Sequence, residues 1–518
     1  MTTFVLAYRC GAVPDSHRVP YEARDEPGAS KRQRFSFRQT SVKALADVVA
    51  MRDAPACPST VHRMPPRAAA VPNSYQSLLC LARVLVLVVL MGVSGSAPAG
   101  AQQHDHAAST DSAEAHAPTP TLCLICPSGR EGVNTAWQPD TADTHGHGHQ
   151  VGAWTLRGHA QVAVAYTSEG GPRGGEATYA PGFLMANAQR RAGRGVFGVQ
   201  TMWTLEPTMG RRGYPLLAQT GETADGITAL VDRQHPHDLP MELAVTYAVP
   251  FSGDRSAFIY AAAVGAPALG PPAFMHRRSG RRLPTAPITH HWFDASHVSF
   301  GVLTAGVAIS PKAQIEVSGF RGREPDQHRW GFERPKIDSF SARLSVNPSS
   351  TMALQASAGV LHDAEQLHPG SDTSRMTVSL MYSPRWRKVQ LDVTSGWGRN
   401  KRTSTPIRSA EGLYLLHGGV SQALLAEATL QFWTRHAIMS RVERVQKDEL
   451  FVLSDPRHGR AYPVSRASLG YAFDVLHAGS VKVGIGGAAA WTFVNRDLRP
   501  DYGGSPRSAQ VFIDLRTH

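Results

Sequence analysis

Polar and apolar residues alternate with a period of two along most of the chain after Trp154. In DSFSARLSVNP, the apolar residues Phe340, Leu344 and Val346 alternate with polar ones such as Arg343. VQLDVTSGW and AQVFIDLR repeat the pattern. Because successive side chains of a β-strand point to opposite faces, this period predicts strands with one apolar and one polar face.

The lengths of the connections between these strands alternate as well. Short turns are expected at QRRAGRG, PFSGDRS, ISPKAQ, NPSSTM, SPRWRK, VSQALL and LHAGS. Longer polar stretches lie between them, at 168–176, 207–240, 265–296, 322–337, 362–374, 399–411, 436–462 and 495–507. Short periplasmic turns alternating with long outer loops are typical of outer-membrane barrels, and these connections would join about sixteen strands. A soluble β-sandwich would share only the period of two.

We therefore predict an all-β fold, a transmembrane antiparallel up-and-down β-barrel over residues 151–518, in the cell outer membrane. An open sheet edge in lipid would leave backbone groups unpaired at several kcal/mol each, so the sheet has to close. A barrel of about sixteen strands encloses an aqueous channel unless loops fill it.

The N-terminal region predicts export. We expect a signal peptide over residues 64–101, since Arg83 precedes an apolar run from Val84 to Val93 and small residues follow. A membrane anchor is the competing interpretation, but the run is short for a transmembrane helix. Residues 1–63 are polar and Arg-rich without a period, which predicts a disordered or non-native extension.

Residues 102–150 predict a flexible, His-rich periplasmic tail, because they include few large apolar residues. Neutral imidazole is a good ligand for Cu(II), Ni(II) and Zn(II), so the tail could capture metal; a solubilising low-complexity tail is the alternative. Its histidines are His104, His106, His116, His145, His147 and His149. Cys123 and Cys126 form a C-x-x-C pair, which in an exported protein is a disulfide loop or a thiolate metal site.

Charge gives little indication of a partner. The formal net charge is +12, and half of it comes from residues 1–101. The remainder is spread over a long chain without a nucleic-acid-binding motif, so no nucleic-acid partner is expected. One loop, HRRSGRRLP, concentrates four arginines between Arg277 and Arg282. It could be an anion funnel at the pore mouth, a contact with lipopolysaccharide phosphates, or a solvated loop.

Two stretches at the ends of long loops are candidates for chemistry: DRQHPHD and APITHHWFDASHVSF. A helical turn would place Asp294 near His290 or His291, with His297 one turn further on. The candidate ligands for a divalent ion, Cu or Zn, are Asp232, His235, His237, His290, His291, Asp294 and His297. The alternatives are histidines that only brace the loops, and a catalytic pair of His297 with Ser299.

Several longer strings resemble a family of uncharacterised Gram-negative outer-membrane β-barrel proteins. They are NTAWQPD, YPLLAQTGET, LVDRQHPHDLPMEL, GAPALGPPAFMHR, PITHHWFDASHVSFGVLTAGV and GREPDQHRW, and the likeness covers roughly residues 134–515. The resemblance implies a secreted barrel, loosely associated with heavy-metal resistance loci. It supplies no catalytic residues.

The expected function is an outer-membrane channel or binding protein for a small polar solute, linked to copper or heavy-metal handling. Its expected partners are outer-membrane lipid and lipopolysaccharide, together with the solute or a metal ion. An outer-membrane lipid hydrolase and a structural barrel without a ligand are the alternatives.

Overall fold

The computed structural model describes residues 122–142, 148–409, 412–416 and 418–517. The expected N-terminal extension, the signal peptide and the first part of the tail lie outside the described residues. So do the tail histidines His104, His106, His116, His145 and His147.

Sixteen long antiparallel strands form a closed barrel within the described residues. They are β4 (Trp154–Glu169), β6 (Gly182–Ala192), β7 (Gly195–Trp203), β10 (Pro240–Ser252), β11 (Arg255–Gly265), β12 (Ser299–Ser310), β13 (Ala313–Phe320), β14 (Ser339–Ser349), β15 (Met352–Leu361), β16 (Thr373–Tyr382), β18 (Val389–Arg402), β21 (Gly419–Phe432), β22 (His436–Lys447), β23 (Tyr462–Ala478), β24 (Val481–Val494) and β25 (Arg507–Thr517).

Shorter elements lie between these strands. Three short strands join the barrel sheet: β3 (His149–Val151), β5 (Gly175–Tyr179) and β17 (Arg385–Trp386). Three two-stranded sheets are formed by β1 (Glu131–Val133) with β2 (Ala136–Trp137), β8 (Tyr214–Thr223) with β9 (Ala229–Gln234), and β19 (Thr405–Ser409) with β20 (Gly412–Leu416). The helices are α1 (His290–Phe293) and α2 (Arg499–Tyr502), with single 3-10 turns at Asp140–Ala142, Glu206–Met209, Ala295–His297 and Arg496–Leu498. Among the described residues, no helix is long and apolar enough to cross a membrane.

The barrel has the predicted up-and-down order, and β25 closes it by pairing with β4. One predicted turn and the start of one predicted long loop are wrong. Residues 436–447 of the predicted loop 436–462 form β22, and the loop itself is 448–461. VSQALL lies inside β21, where it pairs with both neighbouring strands. The turn that follows β21 is at 433–435, where Trp433 and Thr434 adopt positive φ angles of 49° and 64°. Around Ser421, small residues alternate with apolar ones, so the sequence lacks the contrast between polar and apolar positions that marks the other strands.

The two faces of the sheet have opposite polarity, with the apolar face outside. Along β14, Phe340 is 63% exposed, whereas its neighbours Ser339 and Ser341 are buried. On the other face of the sheet, the charged residues Glu316, Arg343, Asp392, Glu427 and Asp474 are all buried. A closed barrel with an apolar outer surface and a polar interior is the architecture of outer-membrane proteins. The protein is an outer-membrane β-barrel.

The barrel lumen is occupied by the chain itself. Residues 122–142, the luminal segment, enter at the end that bears the short turns. Arg130 donates to the carbonyl of Pro311 at 2.6 Å, and the side-chain amide of Asn347 donates to the backbone carbonyl of Gln138 at 2.8 Å. Trp137 is 3% exposed. The prediction of a flexible tail is therefore wrong for these residues, because the barrel wall supplies the core and the hydrogen-bond partners that the segment lacks alone.

Residues 266–298, the luminal loop, fold inward from the opposite end of the barrel. Arg343 connects the luminal loop with the luminal segment. Its guanidinium donates to the Gly270 carbonyl at 3.1 Å, to Thr135 Oγ1 at 2.7 Å and to Glu316 on the wall at 2.8 Å. The arginines of HRRSGRRLP thus lie within the barrel. Arg277, for example, is only 2% exposed. None of the three outer-surface roles considered for them applies, since carboxylates on the inner wall attract the loop into the lumen.

Candidate metal centre in the barrel lumen

Five of the seven predicted ligands come together inside the barrel. The histidine triad, as we call His237, His290 and His297, places one ring nitrogen of each residue within 4.8 Å of the others. His235 and His291 form a second group with His290 by the same measure. All five side chains are buried or nearly so.

Each member of the triad is positioned by a different element. His237 follows β9 in the segment that leads into β10, and His290 is the first residue of α1. His297 ends the 3-10 turn that leads into β12. Ring centroids are 4.8 Å apart for His237 and His297, and 5.3 Å apart for His290 and His297.

The triad stays in place because its elements are anchored to the barrel wall. At the start of α1, the Thr289 amide and hydroxyl both donate to Glu443 Oε1, at 3.0 and 2.8 Å. Trp292 Nε1 donates to Ser421 Oγ at 3.1 Å on the adjacent strand β21. The predicted helical turn is present, and the Asp294 amide donates to the His290 carbonyl at 3.0 Å.

The three rings are oriented by acceptors on their Nδ1 side. Nδ1 of His237 lies 2.7 Å from Glu206 Oε2, and Nδ1 of His290 lies 2.7 Å from Asp294 Oδ1. Nδ1 of His297 lies 2.6 Å from the Asp294 carbonyl oxygen. Ionised carboxylates and carbonyls only accept, so Nδ1 carries the proton in each ring and Nε2 keeps its lone pair. Nε2 of both His237 and His297 has no hydrogen-bond partner among the described residues.

Burial favours the neutral form of two triad rings, those of His290 and His297. It lowers the pKa of His290 and places that of His297 well below its usual range, and the neighbouring imidazoles act in the same direction. Burial also lowers the pKa of His235 to about 3. Burial raises the pKa of the Asp294 carboxyl, but the neighbouring Arg277 and His290 lower it more strongly and hold it below its ordinary value. Neutral imidazoles supported by an ionised carboxylate are the form that binds a metal ion.

The two predicted aspartates are engaged with other side chains. Asp232 lies in β9 away from the triad, where it pairs with Arg173 at 2.6 Å and accepts from the Tyr502 hydroxyl at 2.9 Å. Asp232 belongs to neither histidine group, and its charge is already paired with the partly buried Arg173. Asp294 lies beside the triad, but its two carboxylate oxygens accept from His290 and Arg277, each at 2.7 Å.

The remaining predicted residues lie elsewhere. His149 is exposed in β3 and belongs to neither histidine group. Cys123 and Cys126 are joined by a disulfide at the start of the luminal segment, with a Cα–Cα distance of 5.3 Å. Glu206, the acceptor for His237, is not among the predicted site residues. No nearby histidine motif marks this residue, and only the fold brings it to the site.

Known proteins offer limited comparison. No family model matches the chain, and no curated protein matches it in sequence. Among solved structures, it is similar to OmpF of Salmonella typhi in complex with daunomycin, with 10% identity, a TM-score of 0.43, and coverage of 70% of this chain and 98% of that one. It is similar to the outer-membrane channel DcaP of Acinetobacter baumannii, with 9% identity, a TM-score of 0.41, and coverage of 72% and 99%. It is also similar to an anion-selective porin from Comamonas acidovorans, with 11% identity, a TM-score of 0.40, and coverage of 70% and 98%.

Proposed function

We propose that this outer-membrane barrel binds a divalent transition-metal ion, zinc or copper, at the histidine triad in its lumen. The observation that carries the proposal is the shared orientation of the rings. Each Nδ1 is held by an acceptor, which leaves Nε2 as the available nitrogen of each ring, and the three rings form one buried group. Imidazole rings whose far nitrogen donates to a carboxylate or carbonyl are the usual arrangement around protein-bound zinc.

The metal ion is thereby the small polar solute expected of this barrel. Three neutral nitrogens leave a fourth coordination position for water or another ligand, as in open zinc sites. His235 and His291 extend the site on one side, with Glu222 3.3 Å from His235 Nε2 and Glu324 3.8 Å from His291 Nε2. Because Nδ1 of His290 is hydrogen-bonded to Asp294, only Nε2 of His290 is available to a metal ion. His290 belongs to both histidine groups, so an ion bound to it can move from one group to the other.

The side-chain contacts do not favour the lipid hydrolase. The Ser299 hydroxyl donates to the Ser296 carbonyl at 3.1 Å, whereas His297 Nδ1 faces the Asp294 carbonyl. A serine nucleophile needs a hydrogen bond to its base. Both residues are also buried, in a lumen that membrane lipid does not reach.

The test is metal binding by the purified full-length protein, refolded in detergent and stripped with a chelator. Titration calorimetry with Zn²⁺ and with Cu²⁺, together with elemental analysis after desalting, should show saturable, tight binding of one or both ions. His297→Gln and His237→Gln should each weaken binding by more than the roughly 100-fold that follows loss of a supporting hydrogen bond.

His328→Gln is the matched control, because His328 lies in a loop with its side chain 62% exposed. It should bind metal like the wild type. Absence of saturable binding in the wild type would favour the structural barrel without a ligand. Wild-type affinity in both His237→Gln and His297→Gln would show that the metal binds elsewhere.

A further inference from the structure

A groove crosses the lipid-facing wall of the barrel over strands β15, β16, β18, β21 and β22. It measures about 580 Å³, which is within the range of roughly 300–1,000 Å³ that is usual for ligand sites. One row of residues paired across the five strands passes through it: Leu354, Leu380, Ser395, Ala426 and Val442. Because the two central residues of this row are small and their neighbours are large, the row forms a depression with an apolar lining.

Two arginines lie at the edge of this groove nearest the long loops. Arg444 lines the groove and pairs with Leu424, whereas Arg399 pairs with Gln422 on the other side of β21. Arg399 lies two residues beyond Trp397, about 7 Å further along β18. Trp397 Nε1 donates to Gln422 Oε1 at 2.9 Å, which fixes the indole ring at the groove. The two arginines therefore flank β21, beyond the apolar part of the groove.

The carboxylates of these five strands all lie on the inner face. They are Asp392, Glu427 and Glu443, and each is at most 3% exposed. Glu443 also borders the groove, but its carboxylate points into the lumen, where Oε1 accepts from the Thr289 hydroxyl at 2.8 Å. No carboxylate of the wall therefore meets the two arginines on the outer face.

Carboxylates in the adjacent loops are engaged with other partners. Asp372, just before β16, lies with Oδ2 3.0 Å from Nδ1 of His362. Asp448, just after β22, pairs with Arg402 at 3.4 Å. An arginine on a lipid-facing surface is unfavourable unless water or a lipid headgroup meets its charge. The groove thus combines an apolar floor with a positive edge, which is complementary to an anionic lipid.

We propose that this groove binds lipopolysaccharide, with an acyl chain of its lipid A along the groove and a phosphate between Arg399 and Arg444. Guanidinium groups bind phosphate through charge-assisted and often bidentate hydrogen bonds. The long loops mark the outer side of such a barrel, so the arginines lie at the level of the outer leaflet, where lipopolysaccharide supplies the phosphates. The site does not depend on metal binding at the histidine triad.

The test is titration of the purified full-length protein with lipid A, in detergent and with a chelator present so that metal binding plays no part. Native mass spectrometry counts the bound lipid A molecules and shows the oligomeric state in the same spectrum. The wild type should bind one lipid A in a saturable way. Dephosphorylated lipid A should bind about tenfold more weakly, because the charge-assisted hydrogen bonds are lost. Inorganic phosphate should not displace lipid A, since it has no acyl chain.

Two arginine variants test the positive edge. Arg399→Gln and Arg444→Gln should each lower the affinity for lipid A about tenfold and leave that for dephosphorylated lipid A unchanged. Arg255→Gln, at an exposed arginine of a short turn at the other end of the barrel, is the control and should bind like the wild type.

Ala426→Leu tests the groove itself, because the larger side chain fills the depression without changing the charge. It should weaken the binding of both forms of lipid A. Ala305→Leu, at an exposed alanine of β12 outside the groove, is the matched control and should have no effect.

Three results would overturn the proposal. One is equal affinity of the wild type for lipid A and for its dephosphorylated form. Another is phosphatidylglycerol that binds more tightly than lipid A, which would assign the groove to a phospholipid. The third is an oligomer that Ala426→Leu dissociates while lipid A binding stays unchanged, which would make the groove a contact between copies of this chain.

Discussion

The three rings of the histidine triad differ in the group that accepts a hydrogen bond from Nδ1. His290 faces a carboxylate on its own helical turn, and His297 faces a backbone carbonyl that no side-chain substitution can remove. His237 alone depends on a carboxylate from a distant element, Glu206 in the 3-10 turn after β7. Although burial opposes its ionisation, the neighbouring His237 holds the pKa of Glu206 below its ordinary value. Glu206 is therefore the residue at which support can be tested separately from ligation.

Glu206→Gln should lower the affinity for Zn²⁺ by about 10–100-fold and leave the number of bound ions unchanged. The amide keeps the shape of the side chain but loses the charge that strengthens the hydrogen bond to Nδ1. Titration calorimetry measures both quantities in one experiment. Glu176→Gln, at an exposed residue of β5, is the control and should bind like the wild type. Unchanged affinity in Glu206→Gln would mean that His237 needs no such support.

Among the elements, α1 lies against the barrel wall where two glycines leave space for it. A Cβ atom at Gly398 would lie 2.5 Å from the Trp292 carbonyl oxygen, and one at Gly396 would lie 2.8 Å from the Phe293 ring. Both glycines belong to β18. The wall is thus shaped to hold the helical turn that carries His290.

Gly398→Ala should displace α1 and weaken Zn²⁺ binding about tenfold or more, because imidazole ligation depends on ring orientation. The barrel itself should survive, and the heat-dependent shift in gel mobility typical of folded barrels would show that it does. Gly419→Ala is the control, since a Cβ atom there meets nothing within 4 Å. If Gly398→Ala binds metal normally, then the triad tolerates movement of α1.

The strands could be predicted from the sequence because each one is decided locally. Along β14, Phe340 and Leu344 are exposed on the face that meets lipid, and the polar residues between them are buried. This alternation depends only on which face meets lipid. The prediction fails at VSQALL, where small residues blur the contrast between the two faces. It fails again for the luminal segment, whose burial depends on a lumen built by distant strands.

The site could be predicted only as a set of residues. The motifs around His237 and His290 indicated ligands, but which rings meet depends on where two loops fold inside the barrel. A signal for that inward fold was present in the charges. The arginines from Arg277 onward match the inward-facing acids, and Arg277 Nε lies 2.7 Å from Glu427 Oε1. Pairing the basic loop with the acidic wall would have placed the loop in the lumen.

At the scale of the whole molecule, parts of the chain itself enter the barrel lumen from both ends. The luminal segment occupies the end with the short turns, and the luminal loop enters from the other end. Arg343 holds both against the wall. A sixteen-stranded wall is wide enough for an aqueous channel, so the two fillers determine whether solutes pass.

Planar-bilayer recordings should therefore show little or no steady conductance for the wild type. Deleting 122–142, or replacing 271–286 by a flexible linker, should each give partial opening, because the other filler remains. Combining the two changes should give a stable porin-like channel, since the polar wall then encloses water. The decisive measurement compares the conductance of four proteins: the wild type, the deletion variant, the linker variant and the combined variant. If the wild type already conducts like the combined variant, then the luminal segment and the luminal loop leave the lumen open in the membrane. The triad would then have to bind its metal ion in an open, water-filled channel and not in a closed compartment.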